Sequence, residues 1–420
     1  MKIIIIGGGF AGVNLAEKLL NTKSVEVILV DKNNYNFFAP LIYQVATAFL
    51  EPSSISYPFR KFFAGKKNLK FRLGELQKVI PEQNKIVLNN GELDYDYLVF
   101  ATGAETSYFG MENVRKNAIP MKTLNDAIEM RNALLKNLEK AAICTDVKKR
   151  RSLLTIVVAG GGPTGVEVSG MLAEMRKSII LKEYPELATA ASHIYLVDGG
   201  DALLAPMSKS SQIDTLEAIT NLGVVVKLNA QVTDYQNDTV FFANGDTINT
   251  KNLIWAAGVT AKIYQGIPSE CFGRGKRMIT DEFNKLKLTT NIYAIGDTCI
   301  ELSDPAFPIG HPQVAQVAIQ QGLNLADNFK AILQNKQLKP FKYVDKGSMA
   351  IIGKMKAVVD LPKPKLHFKG SFAWLIWLFI HLISLITYRN RYQTLYNWMV
   401  AYFSKDQALR MLIRPDKRSK

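Results

Sequence analysis

Two glycine-rich turns, each answered by an acid downstream, are the residues of this chain best spaced to do chemistry. In the first, Gly7, Gly9 and Gly12 form G-x-G-x-x-G directly after the apolar run Ile3 to Ile6, and Asp31 closes the apolar run Val25 to Val30. The first glycine permits a tight turn, the second lets backbone approach a pyrophosphate, and the third lets a helix pack close to the strand. The helix would offer free N–H groups and its positive dipole end to a phosphate, and the acid would fall where a ribose diol lies. In the second, Gly160, Gly162 and Gly165 follow Leu153 to Ala159, and His193 to Val197 ends at Asp198. The stretch Lys182 to Ala191 lengthens this second path. One such turn is a weak signal, but strand, glycines, helix and acid repeated in order point to two dinucleotide sites.

Positioning these residues requires parallel strands flanked by helices. Leu15, Leu19 and Leu20 read as the buried face of the first helix, and a longer helix is predicted from Gly165 to Leu181. Tyr97 to Phe100 runs into Ala101-Thr102-Gly103, Leu253 to Ala257 into Gly258-Val259, and Tyr293 to Ile295 into Gly296-Asp297. Small residues at a strand's C-terminal end let a flat ligand lie against backbone. Leu69 to Leu73 and Lys85 to Leu88 alternate as strands, Leu124 to Ala142 and Val314 to Phe329 have helical spacing, and Lys148 to Arg151 is a basic run expected to face solvent. Lys32 to Thr47 is too irregular for a strand and too apolar for a surface loop, so it either lines a site or covers the core.

Because the strand Tyr293 to Ile295 returns so late, the second unit is read as an insertion into the first. The fold expected is α/β: two Rossmann-like dinucleotide-binding domains, the second inserted in the first, followed by a C-terminal amphipathic helical region. The divisions expected are 1–115 and 286–340 for the first domain, 116–285 for the second and 341–420 for the tail. Two dinucleotides in one chain argue against a simple dehydrogenase and for a flavin reduced by a nicotinamide.

With 420 residues, 48% of them hydrophobic and 21% charged, the chain has ample material for packed domains. Its formal charge of +15 is uneven: from Lys363 onward eleven Lys and Arg face two acids, a net +9. A basic face spread over the body would suit nucleic acid, whereas an excess beside an apolar segment suits an anionic membrane surface, so no nucleic-acid partner is expected. Cys144, Cys271 and Cys299 form neither a disulfide framework nor a C-x-x-C pair, which favours a reducing compartment, and no metal site is expected. A signal peptide has no room ahead of Ile3 to Ile6.

These motifs together resemble the two-dinucleotide flavoprotein superfamily and, within it, the type II NADH dehydrogenases (NADH:quinone oxidoreductases). The resemblance covers essentially the whole chain. It rests on Asn34 to Thr47, Gly160-Gly161-Gly162-Pro163-Thr164-Gly165-Val166-Glu167, Tyr293 to Asp297, Ala315 to Gln320, Lys346 to Gly353, and the tail Trp374 to Pro415. It implies FAD, held without a covalent bond, on the first unit. The contacts implied are Gly7, Gly8, Gly9, Phe10, Ala11, Gly12, Asp31, Lys32, Ala39, Pro40, Leu76, Ala101, Thr102, Gly103, Gly296, Asp297, Gln316, Val317 and Ala318. It implies NADH on the second, at Gly160, Gly162, Pro163, Thr164, Gly165, Glu167, Asp198, Gly258 and Val259. Asp198 followed by Gly199 and Gly200, with no Arg for a 2′-phosphate, favours NADH over NADPH.

Four residues are implied in catalysis. Glu167 would orient the nicotinamide, although an acid early in a helix also complements the dipole. Gln316 and Gln320, four apart on one helix face, would hydrogen-bond a quinone carbonyl unless they are plain solvated amides. Lys346 would stabilise reduced flavin as a cation unless it is a surface lysine. The reaction implied is hydride transfer from NADH to FAD, then two-electron reduction of a quinone, ubiquinone or menaquinone, without proton pumping. Thr298 precedes Cys299 where the family often has Cys directly after the acid, and Cys299 is read as a small packed side chain. Sulfide:quinone oxidoreductase-like and apoptosis-inducing-factor-like flavoproteins are the alternatives.

The tail carries the remaining expectation. Phe372 to Tyr388 is an apolar run of 17 residues, the short limit of a spanning helix. It is followed by Tyr392 to Ile413, where Tyr392, Tyr396, Trp398, Tyr402 and Phe403 interleave with Lys405, Arg410 and Arg414. The reading preferred is two helices in the interface plane, monotopic on the inner face of the cytoplasmic membrane, with a single spanning anchor as the alternative. A homodimer is expected by analogy, and a chain ending near Pro364 is expected to be soluble and to keep FAD.

Overall fold

The computed structural model describes residues 1–177, 181–187, 190, 192–403 and 410–412. Its contacts divide the chain into two compact units: Met1–Phe37, Tyr57–Glu105 and Val259–Lys346 form the first, and Phe38–Ser56, Thr106–Gly258 and Gly347–Lys420 the second. The boundaries therefore fall at 105, 258 and 346, where the sequence reading set 115, 285 and 340. Residues 38–56, expected in the first domain, join the second unit, where Ile42–Ala46 packs on its helices, and the tail, expected as a region of its own, belongs to that unit too.

The first unit is built on a five-stranded parallel sheet in the order Ile292–Ala294, Tyr97–Phe100, Lys2–Ile6, Glu26–Asp31, Leu69–Leu73. Runs of β-branched and other apolar residues suit strands buried on both faces, and Ile3, Ile4, Ile5, Leu98, Val99 and Ile292 are fully buried. The helix Phe10–Lys18 ends two residues before Leu20, with Leu15 and Leu19 buried as expected and Leu20 only half-buried. It packs on the helix Ala315–Leu333 through Gly322, where a Cβ would sit 2.6 Å from the carbonyl oxygen of Ala11.

The second unit repeats the plan. Its parallel sheet runs Ile119–Pro120, Asn252–Trp255, Ile156–Ala159, Ile194–Val197, Val224–Lys227. The Leu124–Ala142 helix appears with the bounds expected, started by a Thr123–Asp126 capping box. The basic run lies on the helix Val147–Leu154, with Lys148, Lys149 and Arg151 exposed and Arg150 turned in to donate to the Cys144 carbonyl at 2.7 Å.

The helix Pro163–Met175 is shorter than the predicted Gly165 to Leu181, whose end lies partly outside the described residues. Nearly all of it is buried, because an antiparallel sheet of Ser348–Gly353, Lys356–Pro362 and Lys365–Lys369 covers its outer side. Contact is backbone to backbone at Gly170, where a Cβ would meet the Ile352 carbonyl oxygen at 1.7 Å. The edge of that sheet is tied to the helix Lys209–Asn221 by His367, held between Asp214 at 2.8 Å and Asp360 at 2.9 Å.

The expected apolar tail run is interrupted. Gly370–Ile383 and Tyr388–Phe403 are separate helices, with residues 404–409 and 413–420, including Lys405 and Arg414, outside the described residues. At 1.5 Å per residue the first spans about 21 Å, short of a hydrocarbon core of about 30 Å. Among the described residues no helix is long and apolar enough to cross a membrane.

Each tail helix has one buried face. Trp377 stacks on His381 at 3.8 Å, and burial lowers that imidazole to about 4. On Tyr388–Phe403, Asn390, Thr394 and Trp398 face inward at helical spacing. The Asn390 amide donates to the carbonyls of Ser53, Ser54 and Ser56, and the Thr394 hydroxyl to that of Ser54. The opposite faces are apolar and exposed: Phe372, Leu375, Phe379 and Ile383 on one helix, Tyr388, Tyr392, Tyr396 and Met399 on the other. Trp398 and Tyr402, grouped in sequence with Tyr392 and Tyr396, are turned inward, Tyr402 packing on Trp374 at 4.9 Å and Phe49 at 5.3 Å.

Because Gly170 admits no Cβ without moving the Ile352 carbonyl, Gly170→Ala is expected to cost about 1–3 kcal/mol. The check is a lower thermal midpoint for the variant, and an unchanged midpoint would show that the sheet yields freely.

Candidate functional site

In each unit the glycine turn is a cradle whose shape the backbone sets. Gly7 has φ +103° and Gly160 φ +114°, conformations that L side chains rarely adopt. A Cβ on Gly7 would meet the Ala101 carbonyl oxygen at 2.4 Å, and one on Gly160 the Ala256 carbonyl oxygen at 2.4 Å. A Cβ on Gly12 would lie 1.9 Å from the Gly7 oxygen, and one on Gly165 1.8 Å from the Gly160 oxygen. Gly9 and Gly162, by contrast, have nothing within 4 Å. These two positions, at the N-caps of Phe10–Lys18 and Pro163–Met175, leave open the space in which a pyrophosphate would meet the helix N–H groups.

The acids match as well. Asp31 accepts the Gly8 N–H at 2.7 Å and the Asn33 N–H at 2.7 Å, and burial raises its carboxyl above the usual range. Asp198 accepts the Gly161 N–H and, at 2.6 Å, the Gly200 N–H. Each carboxylate thus locks the turn it follows. Asn36, which the sequence reading did not single out, completes the first lock by donating to the Gly8 carbonyl at 2.7 Å. The fit to a dinucleotide is the same in both units: open backbone at one glycine, closed backbone at the other two, and a fixed acid at the next strand's end.

Around the first cradle, the Thr102 hydroxyl donates to that of Thr298 at 3.1 Å, and Gly103 and Gly296 both have positive φ. The Gly296 N–H donates to the buried Gln321 side chain at 2.7 Å, and Gln313 holds the Asp297 carbonyl at 2.9 Å. Ala11, Ala101, Val317 and Ala318 are buried, Phe10 is half-buried and Lys32 is exposed beside Asp31. The Leu76 side chain lies in the core with Ile6 and Phe100, so only its backbone is left to meet a ligand. Ala39 and Pro40 belong to the second unit, on a single 3-10 turn.

Gln316 and Gln320 bond the backbone that follows their helix. Gln320 donates to the Val344 carbonyl at 2.9 Å and accepts the Val344 N–H at 3.0 Å, and the Gln316 oxygen accepts the Lys346 N–H at 3.0 Å. Their side chains clamp the irregular segment 344–346 against the helix, and Lys346 itself is exposed. Sequence spacing places two amides on one face but not the backbone that occupies them.

In the second unit Gly258 abuts the Phe109 ring, and its carbonyl accepts the Ser107 N–H at 3.0 Å. Val259 is exposed in the first unit. Glu167 sits in the second turn of its helix and is only 8% exposed. Burial lifts its carboxyl well above the ordinary range, against the opposing pull of an N–H bond from Ile351. Glu167 lies beyond the first turn, within which the dipole's effect falls off. Beside it, the wholly buried Tyr43 hydroxyl accepts the Gln44 amide at 3.1 Å, and Gln44 accepts the Trp398 indole N–H at 2.8 Å. This chain from the tail helix to Glu167's neighbour was not legible in sequence, since it joins residues more than 350 apart.

All three cysteines are free; Cys299 is buried, and burial pushes its thiol up to about 11, far from a reactive thiolate.

Doubled cradles on parallel sheets, each with its locked acid, define the class: a flavoprotein of the two-dinucleotide oxidoreductase type. The comparisons agree. The model of the pyridine nucleotide-disulphide oxidoreductase family matches residues 1–322, and that of the NDH2 C-terminal domain matches 346–405. The type II NADH:quinone oxidoreductase NdhA of Mycobacterium tuberculosis is 34% identical, over 96% of this chain and 87% of the relative. The type II NADH:quinone oxidoreductase of Haemophilus influenzae is 27% identical over 89% of this chain and 90% of the relative. In fold, the chain superposes on the NDH2 of Plasmodium falciparum solved with NADH at a TM-score of 0.89, with 23% identity over 98% of this chain and 99% of that one. The chain belongs to the type II NADH:quinone oxidoreductase family.

The two open glycines separate ligand binding from folding. Gly9→Val should lower the flavin-to-protein absorbance ratio, and Gly162→Val should raise the KM for NADH about tenfold or more, about 1.4 kcal/mol, with circular dichroism unchanged. Normal flavin content and KM would mean that the pyrophosphates do not lie on these turns.

Proposed function

We infer that this protein is a non-electrogenic NADH:quinone oxidoreductase that carries FAD on its first unit and takes NADH on its second. The observation that carries the reading is the matched pair of cradles, one per dinucleotide. Bound FAD supplies a two-electron acceptor that takes hydride from NADH and passes the pair to a quinone.

The chain's own residues bind, orient and hold protons. The N-termini of Phe10–Lys18 and Pro163–Met175 take the two pyrophosphates, and Asp31 and Asp198 take the adenosine riboses. Both carboxylates are pre-aimed by the N–H groups of their turns, so little ordering is left for binding. A negative Asp198 also repels a 2′-phosphate. Burial favours the neutral carboxyl of Glu167, which can then donate a hydrogen bond to the nicotinamide amide or hold a proton for the quinone. The Gln316 and Gln320 clamp holds the backbone at 344–346, and the Lys346 ammonium would steady the reduced flavin as a cation. With Cys299 buried and its thiol raised, sulfide chemistry has no nucleophile there.

The membrane reading rests on the tail. The outward faces of its two helices expose large apolar side chains, Phe379 at 61% and Tyr392 at 75%, in a region rich in Lys and Arg. Apolar surface of that extent on adjacent helices suits insertion into one leaflet with the basic residues at anionic headgroups. Attachment is peripheral, on the inner face of the cytoplasmic membrane, as a homodimer.

Two experiments test this. On anaerobic mixing, NADH should bleach the bound flavin much faster than NADPH, and quinone analogues should restore the colour; faster bleaching by NADPH would overturn the nucleotide assignment. Cutting the chain near Pro364 would expose the surfaces that Trp377 and Trp398 cover, so it no longer isolates the anchor. Serine at Phe372, Phe379, Tyr392 and Tyr396 removes only exposed rings. Each ring inserted contributes about 1.5–3 kcal/mol, so the variant should leave washed membranes and lose about tenfold or more turnover with long-tailed quinone. It should keep FAD and activity with a water-soluble analogue. Retention on high-salt-washed membranes would place the anchor elsewhere.

A further inference from the structure

Buried charges in proteins are paired, hydrogen-bonded or bound to something. Arg131, in the middle of the helix Leu124–Ala142, departs from that rule: it is 7% exposed, its Nε is sealed without a hydrogen-bond partner, and no carboxylate lies within ion-pair distance among the described residues. Burial alone acts on it, lowering its pKa with no neighbouring charge to oppose the effect. The same side chain lines an open cleft of about 980 Å³ in the second unit, walled by this helix, Glu51–Ser53 and Met411.

The chemistry of the walls narrows the ligand. Lys136 and Lys140 line the cleft beside Arg131, on exposed positions of the same helix. Its two acids are engaged by neutral donors: Glu129 accepts the Asn125 amide at 2.7 Å, and Glu51 accepts the Ser53 hydroxyl at 3.1 Å and the Gln393 amide at 3.3 Å. The cleft therefore sets three cations, Arg131 among them without an ion-pair partner, against two carboxylates bonded only by neutral groups, a net charge of +1. A guanidinium fork matches two oxygens of an oxyanion, and further ammonium groups suit one with more oxygens and more charge than a carboxylate, that is, a phosphate. The cleft is far larger than an inorganic ion, and Pro52, Ile128 and Met411 give it apolar wall. The Glu51–Ser53 wall is the segment that Gln393 and Asn390 of the last helix clasp, so the cleft adjoins the helix whose other face is an exposed aromatic stripe.

We propose that Arg131 and the cleft it lines bind a phosphate group, the head of an anionic phospholipid when the protein is on a membrane. The lipid form rests on the membrane reading above, whereas the phosphate site does not.

The test uses the FAD-loaded full chain in phosphate-free buffer, with inorganic phosphate compared against chloride at matched ionic strength. Phosphate should raise the melting midpoint of the wild type by about 2 °C or more. Arg131→Met keeps the aliphatic packing and removes the charge, and it should gain nothing from phosphate. An equal gain in Arg131→Met, or no gain in the wild type, overturns the proposal. Should that variant fail to fold, Lys136→Gln with Lys140→Gln decides: the phosphate gain should shrink, and an undiminished gain overturns the proposal. Flotation on phosphatidylcholine vesicles with and without phosphatidylglycerol then separates the sources. A preference for anionic vesicles that falls several-fold in Arg131→Met assigns the lipid head, and one that does not fall, with the phosphate gain intact, assigns free phosphate. Wild type that binds no vesicles would refute the membrane reading and leave the phosphate result standing.

Discussion

The architecture depends on backbone approaching backbone where a helix leaves a strand. In both units the third glycine of the turn lies under 2 Å, by its missing Cβ, from the carbonyl oxygen of the first. No other residue fits there, and the contact sets the angle at which each helix points its N–H groups outward. The parallel sheet behind is then constrained to put an acid at the tip of the next strand, where it takes the N–H of the turn's middle residue. Cradle, helix direction and acid are thus one mechanical unit, used twice.

The same economy recurs where other elements are added. Gly322 lets the Ala315–Leu333 helix lie against Phe10–Lys18, and Gly170 lets the C-terminal sheet lie against Pro163–Met175. Each glycine weakens its own helix by about 1 kcal/mol relative to Ala, a loss offset by the area that close approach buries. In the second unit this burial encloses Glu167, so the acid's raised pKa follows from how the C-terminal sheet packs, not from the helix that carries it.

The tail is both packing and surface. Trp377, Trp398 and Asn390 complete the second unit's interior, and the polar clasp on residues 53–56 fixes the helix's rotation. With that rotation fixed, the outer aromatic stripe is fixed too. A segment that could have been an appendage is therefore part of the body, and the hydrogen bonds from Trp398 through Gln44 to Tyr43 run from the surface helix to the neighbour of Glu167.

How much of this was legible depends on the range of the interactions. The glycine turns, the strands that flank them and Asp31 and Asp198 are local patterns: steric demands on φ and on missing Cβ atoms act within a few residues, so Gly7 to Gly12 and Gly160 to Gly165 declare themselves. The apolar face and basic balance of the tail are likewise compositional. What the tertiary structure alone decided lies between residues far apart in the chain. It committed Gln316 and Gln320 to the backbone at 344–346, turned Trp398 and Tyr402 inward beside outward Tyr392 and Tyr396, and moved residues 38–56 into the second unit. It also buried Glu167 and Arg131. Helical spacing says which residues share a face, but only packing against another element says whether that face meets backbone, solvent or a ligand. A charge loses its water for the same reason, through neighbours the chain brings from elsewhere.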